Sequence, residues 1–437
     1  MPTPRVPYIY PVRTVREAKS VIGPEFQPDL FDKQQLYVNL DEIRDRSYLD
    51  RLYFELGCNQ EDFEPSADYV KIIFSGHRGS GKSTELKRIN NKLGTPDRYF
   101  TVFIDLEEEV EVGSFQHVDF YSLLLHKIIE ELTSRQVKSG ISRLQDLARS
   151  LLSNTEKTTT SKSRLGTNAE AGVEAGFRLF GFGGKASFKE VFSGENETST
   201  TVRQTIRQNT LRVINELNVE LGDTRMAIQD SGNGADILFI IDGSEKIPLG
   251  VYEELFIKNG NILAELNVNM LIAVPISAYY QIENAPYKFS SRYTVPMLQL
   301  GDKHSRTAES MKAIIEKRID TSLFIEDDAL NECIYYSGGC IRQLFQVVHT
   351  SMKIALGKKI EGTHVKLAVK ELGKYLWEYL DNEHLKVLKE TDYRPAEKKV
   401  SELLYILILL KYNGTIKINP LLQDYSYFKE WQSKQEN

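Results

Sequence analysis

Residues 76 to 84 read Gly76-His77-Arg78-Gly79-Ser80-Gly81-Lys82-Ser83-Thr84, three glycines threaded through a run that ends in a lysine and two hydroxyls. Glycine permits backbone conformations closed to other residues, so successive N–H groups can turn inward around phosphate oxygens at the start of a helix. In that reading the stretch from Gly76 to Thr84 cradles a triphosphate. Lys82 reaches the β- and γ-phosphates, Ser83 offers its hydroxyl to Mg²⁺, and Thr84 supports the α-phosphate end. The plain alternative is a glycine-rich turn that merely joins two elements, and the full match to G-x-x-x-x-G-K-[ST] argues against it. Such a loop needs a carboxylate on the metal side, and Asp242 supplies one after the apolar run Ile237-Leu238-Phe239-Ile240-Ile241. Three residues further on, Glu245 can polarise an attacking water as general base; its plain alternative is a solvated loop carboxylate. Together these residues would bind ATP with Mg²⁺ and hydrolyse it.

The elements that must hold them follow from periodicity. Residues 70–75 read as a buried strand running straight into the glycine-rich turn, and residues 82–93 as the helix after it. A second β-rich run covers 99–106, and 118–132 shows apolar residues at helical spacing, so the order βαβα predicts an α/β fold with a parallel sheet. A Thr/Ser/Lys-rich stretch opens an insertion at about 153–200. Within it, alternation over 172–192 predicts a β-hairpin, with an exposed apolar patch for a partner as the other physical option. The α/β order resumes with a helix over 201–221, strands at 237–241 and 270–275, and a last strand near 293–300. From residue 306 the periodicity is helical, which predicts an all-α lid. Near the end, helices followed by a turn at Tyr412-Asn413-Gly414 and a short strand at 416–418 suit a small winged-helix-like region. The expected domains are an amino-terminal segment 1–65, a nucleotide-binding core 66–302, a helical lid 303–380 and a carboxy-terminal region 381–437.

With these motifs in place the chain resembles the AAA+ and STAND group of P-loop ATPases, in particular the initiator-like branch related to origin-recognition ATPases. The resemblance covers about residues 35 to 380, with the insertion outside it. Met270-Leu271-Ile272-Ala273-Val274-Pro275-Ile276-Ser277 stands where that group has its sensor strand, with Ser277 as the polar tip in place of the more usual asparagine or threonine. Ser290-Ser291-Arg292 lies just before the last core strand, where the group often has an arginine finger that reaches a neighbouring subunit's γ-phosphate; a surface arginine is the alternative. Ser337-Gly338-Gly339-Cys340-Ile341-Arg342 resembles the lid motif in which an arginine faces the nucleotide, against an ordinary helix-surface arginine. Tyr37-Val38-Asn39-Leu40 resembles the segment that packs near adenine. The resemblance implies an ATP-binding and hydrolysing switch, a homo-oligomer in which Arg292 and Arg342 join Lys82, Asp242 and Glu245 in catalysis. It also implies a setting such as prokaryotic defence against phage; because the sequence shows no second catalytic cluster, any effector is expected to be a separately encoded protein.

Composition narrows the rival classes. The net charge of −6 over 437 residues removes a whole-chain electrostatic argument for nucleic acid, though a local basic face remains open. A DNA-binding regulator would draw phosphate contacts from Arg394, Lys398, Lys399, Lys411 and Lys417, whose alternative is a solvated face, since acidic residues are interleaved. Three scattered cysteines suit a reduced, cytoplasmic setting better than a disulfide framework. The longest apolar run, 403–410, is too short to span a bilayer, so no membrane partner is expected. The histidines are dispersed, and no second catalytic cluster stands out. The absence of an Asn-Lys-x-Asp motif disfavours a guanine-specific switch.

Overall fold

The structure, a computed structural model, describes residues 8–434 apart from 24–29, 31–32, 45, 60–61, 154–187, 193–196, 248, 283–288, 302–303 and 391. Five strands form one sheet: β1 Lys71–Gly76, β2 Tyr99–Asp105, β3 Asp236–Asp242, β4 Asn269–Pro275 and β5 Ser291–Val295, in the order β2-β3-β4-β1-β5. Every pairing is parallel. Strands covered on both faces read as near-continuous apolar runs, and β1, β3 and β4 are buried almost throughout. Gly76 pairs with Pro275, and Asp105 with Asp242, so the loop after β1 and the acidic end of β3 leave the sheet at the same edge, with β4 between them. Neighbouring strands lie about 4.8 Å apart, which puts the two within reach of one magnesium triphosphate. Ligands in open α/β sheets gather at this carboxyl edge, where connections diverge.

Helices seal both faces. On one, α1 Lys82–Leu93 lays Leu86, Ile89 and Leu93 against Ile72, Phe74, Ile240 and Leu271. On the other lie α2 Asp119–Ser134 and the long α3 Glu197–Asp230, kinked at Asn209, where φ/ψ leaves the helical region. A buried bidentate pair joins them: Arg203 donates through Nε and Nη2 to the Asp119 carboxylate at 2.8 Å each. The same guanidinium donates to the carbonyls of Ser114 and Phe192, tying down the end of the insertion. Only the last residues of the stretch expected to form a hairpin are described there. Phe188–Phe192 is helical, and its two phenylalanines, stacked 4.3 Å apart and buried, pack into the core. Phe188 and Phe192 stand four residues apart, the spacing that puts side chains on one face of a helix. The rest of that expectation falls outside the described residues.

The last core strand also differs from the sequence reading. It begins at Ser291 and stops at Val295, because Pro296 has no N–H to give to a ladder. Arg292 therefore lies inside the strand, paired with Ile73.

Beyond the sheet comes a helical lid, whose longer helices among the described residues are α4 Arg306–Glu316, α5 Asp327–Tyr336, α6 Ile341–Ile354 and α7 Gly362–Glu378. Their core takes in Ala18, Val21 and Ile22 of the amino-terminal helix Val15–Ile22. Further on, α8 Lys398–Tyr405 precedes an antiparallel hairpin of β6 Leu409–Lys411 and β7 Ile416–Ile418. Val400, Leu403, Leu404, Leu409 and Phe428 give this region its own core. No helix among the described residues is long and apolar enough to cross a membrane.

Candidate phosphate-binding site

The loop between β1 and α1 turns on two glycines. Gly79 has φ +80° and Gly81, which caps α1, has φ +91°, conformations that cost another residue about 1–2 kcal/mol. Gly79 has a second constraint, since a Cβ there would lie 2.3 Å from Cβ of Arg342. The first turn of lid helix α6 is thus seated directly on the phosphate loop. Cys340, one residue before that helix, reaches the Arg78 carbonyl with Sγ at 3.4 Å.

Lys82 is buried, its Nζ 3.5 Å from the Gly76 carbonyl and 3.6 Å from Oε2 of Glu245. Ser83 hydrogen-bonds Asp242, whose Oδ1 also accepts from the Gly243 N–H at 2.8 Å. Asp242 is 2% exposed. Burial pushes its pKa up to about 6 and the nearby Glu245 carboxylate adds to the rise, against the pull of Ser83 and Lys82. A hydroxyl and a buried carboxylate side by side form an oxygen donor set that suits a hard divalent cation, so the residues present fit Mg²⁺.

Cations crowd the same edge. Lys246 and Arg342 both lie below their ordinary pKa values, first through burial and then through repulsion, from Arg342, Arg78 and Lys82 in one case and Arg78 in the other. A polyanion such as a triphosphate is the ligand that would relieve them.

The remaining sequence candidates fall in several places. Thr84 and Gly81 line a small cavity with Tyr37, Val38 and Leu40. Ser80 is buried and its carbonyl accepts from Nη2 of Arg44 at 2.7 Å. His77, 1% exposed, points away from the loop: Nδ1 donates to the Leu404 carbonyl of α8 at 3.2 Å, and Nε2 accepts the Lys411 N–H of β6 at 2.8 Å. Ser277 lies past β4, at the start of a short helix, where its carbonyl accepts from the Ser401 hydroxyl of α8. The Arg292 guanidinium sits 5.6 Å from the Tyr279 ring centre, and its register with Ile73 puts it three residues down from the loop, about 10 Å along the strand. Of the lysines considered for DNA, Lys399 is paired with Asp381 and Glu402, and Lys411 is part-buried over Tyr280; Lys398, Arg394 and Lys417 are exposed.

Sequence reasoning missed three acidic or basic groups here. Asp105 ends β2 directly beside Asp242, and burial raises its pKa. The signal was present, since Val102-Phe103-Ile104-Asp105 repeats the apolar-then-aspartate form of β3. Arg44 and Glu85, both buried and 3.5 Å apart, flank the loop on the Gly81 side; only the tertiary fold brings them together.

The sheet and its loop define an α/β phosphate-loop core carrying a helical lid. No protein-family profile matches the chain, and none of the curated proteins does. Among solved structures the chain is similar to the crystal structure of Cdc6p from Pyrobaculum aerophilum, at 13% identity and TM-score 0.34, over 95% of this chain and 98% of that one. A likeness of that degree says nothing of what this chain does.

Proposed function

We propose that this protein binds and hydrolyses ATP with Mg²⁺ and acts as a nucleotide-driven switch, in which closure of the lid changes assembly with further copies or control of a separate effector. The observation that supports it most is the meeting of Ser83 and Asp242 beside the Lys82–Glu245 pair, under a lid arginine. The backbone N–H groups of 76–84 bind the phosphates, and Lys82 exchanges the Gly76 carbonyl for β- and γ-phosphate oxygens. Glu245 holds the attacking water and takes its proton. Ser83 and Asp242 would hold Mg²⁺, whose charge offsets that on the transferred phosphoryl group. Arg342 reaches the same oxygens from α6, so the lid angle follows the nucleotide state. Arg292 lies too far down β5 to serve its own chain's site, and a finger role for it requires a homo-oligomer. The family resemblance extends the reading to a setting such as defence against phage.

Calorimetry and phosphate release test this. Lys82→Ala is expected to abolish measurable Mg·ATP binding. Glu245→Gln should bind ATP and turn it over about 100-fold or more slowly. Wild-type protein that takes up no adenine nucleotide in the presence of Mg²⁺ would overturn the proposal, and unchanged turnover in Glu245→Gln would reassign the base.

A further inference from the structure

The cavity beside Gly81 and Thr84 has apolar walls from Tyr37, Val38 and Leu40 on one side and from Ile314 and Ile341 of the lid on the other. Three charged side chains line it as well, Arg44, Glu85 and Arg318. Arg44 and Glu85 are only 4% and 8% exposed. Arg44 spends Nη2 on the Ser80 carbonyl, and its Nη1 faces Oε1 of Glu85 at 3.5 Å. Oε1 also receives Nη1 of Arg88 at 3.4 Å. Within the Arg44–Glu85 pair one donor and one acceptor are left over, Nε of Arg44 and Oε2 of Glu85, both buried with no hydrogen-bond partner, and Nε of Arg318, whose Nη1 serves the Leu36 and Ile314 carbonyls, is a second such donor. Leaving such groups unmade costs about 1–3 kcal/mol each, and buried polar groups without partners are rare enough to need a reason.

We propose that Arg44 and Glu85 are the base-reading pair of the nucleotide site and select adenine. This rests on the proposed function, because it assumes that the phosphates lie on the loop next door. Adenine offers a 6-amino donor beside a ring-nitrogen acceptor on either of its hydrogen-bonding edges, the complement of a fixed carboxylate oxygen and a fixed guanidinium N–H. A 6-oxo purine puts an acceptor where Glu85 needs a donor, so two acceptors face each other with no proton between them. Apolar walls with a few convergent polar groups are the usual make-up of a small-molecule pocket. The cavity has a volume of about 60 Å³, room for roughly five waters and too little for a fused bicyclic base. Entry of the base must therefore part Ile314 and Ile341 from Tyr37 and Leu40, so the base, like the phosphates, acts on the lid.

The experiment is a comparison of Mg·ATP with Mg·inosine triphosphate, which differs in carrying oxygen at C6. Binding is measured by calorimetry for wild type, Glu85→Gln, Arg44→Lys and Lys82→Ala. Wild type should prefer ATP by about 5- to 150-fold, the cost of one unmade buried hydrogen bond. Glu85→Gln should bring that ratio to within about threefold of unity, because an amide can turn to donate or accept. Arg44→Lys should also lower the ratio. Circular dichroism and thermal melts show whether each variant is folded. If wild type prefers ATP but Glu85→Gln and Arg44→Lys, both folded, keep the full ratio, the base is read elsewhere and this inference fails while the ATP-binding reading stands. Equal binding of the two nucleotides by wild type also overturns it. Absence of any Mg-nucleotide binding by wild type removes both readings.

Discussion

At the scale of single residues, the phosphate loop holds a histidine that never faces the phosphates. His77 donates to Leu404 and accepts from Lys411, which fixes the neutral tautomer with the proton on Nδ1. Burial, together with the nearby charges of Lys82 and Lys411, holds its pKa down to about 3, against about 6.5 in an unfolded chain. Between those values the unfolded chain binds the extra proton, so stability rises with pH across that window. The contribution is complete above about pH 6.5 and is lost as pH falls toward 3. At pH 4.5 the loss should be on the order of 2–3 kcal/mol. Urea unfolding of wild type and His77→Gln at pH 7 and pH 4.5 checks it: the glutamine variant, which can donate and accept but not titrate, should lose less stability on acidification. Equal losses in the two proteins would mean that His77 titrates freely.

Among the elements, the seating of α6 on the phosphate loop is the contact through which a lid could sense nucleotide. It depends on the absence of a side chain at Gly79, where both the positive φ and the 2.3 Å approach to Arg342 forbid one. Both atoms of that clash are rooted in backbone, so neither can swing aside. Gly79→Ala is expected to push the start of α6 outward and to cost about 1–3 kcal/mol in thermal unfolding. Gly414→Ala, at the same φ of +80° but with nothing within 4 Å of an added Cβ, is the matched control and should cost only about 1 kcal/mol for its backbone conformation. If both substitutions cost the same, α6 does not bear on the loop.

For the molecule as a whole, the carboxy-terminal region is hydrogen-bonded to several elements around the site. Besides His77, the Tyr405 hydroxyl donates to the Glu245 carbonyl at 3.3 Å, the Tyr412 hydroxyl to Gly338 at 2.7 Å, and Ser401 to Ser277 at 2.8 Å. Phosphate loop, the turn carrying Glu245, sheet edge and lid are thus all bonded to one small unit. Removing the His77 bonds should loosen that unit without disturbing the sheet. In hydrogen exchange, His77→Ala is expected to raise the rates over residues 398–411 at least about tenfold, the equivalent of one lost hydrogen bond, while β2 stays unchanged. Rates over 398–411 that match wild type would show that the other contacts hold the unit alone.

The amino-acid order alone determined the α/β class, the strand–loop–helix around Lys82, the acidic end of β3 and the helical lid. Each is written in local spacing: apolar runs of strand length, glycines ahead of a lysine, apolar residues at helical intervals. Where local signals competed, only the tertiary structure decided. Alternation suggested a hairpin up to Phe192, yet the sheet face had room for two phenylalanines on one helical turn. Arg292 belongs to β5 because pairing of Ser291 and Arg292 with Ile72 and Ile73 extends the strand upstream to Ser291. Asp105 became a neighbour of Asp242 through sheet order, and Arg44 met Glu85, 41 positions along the chain, through packing of the segment before β1 against α1. Periodicity acts over a few residues, whereas register and burial depend on partners distant in the chain.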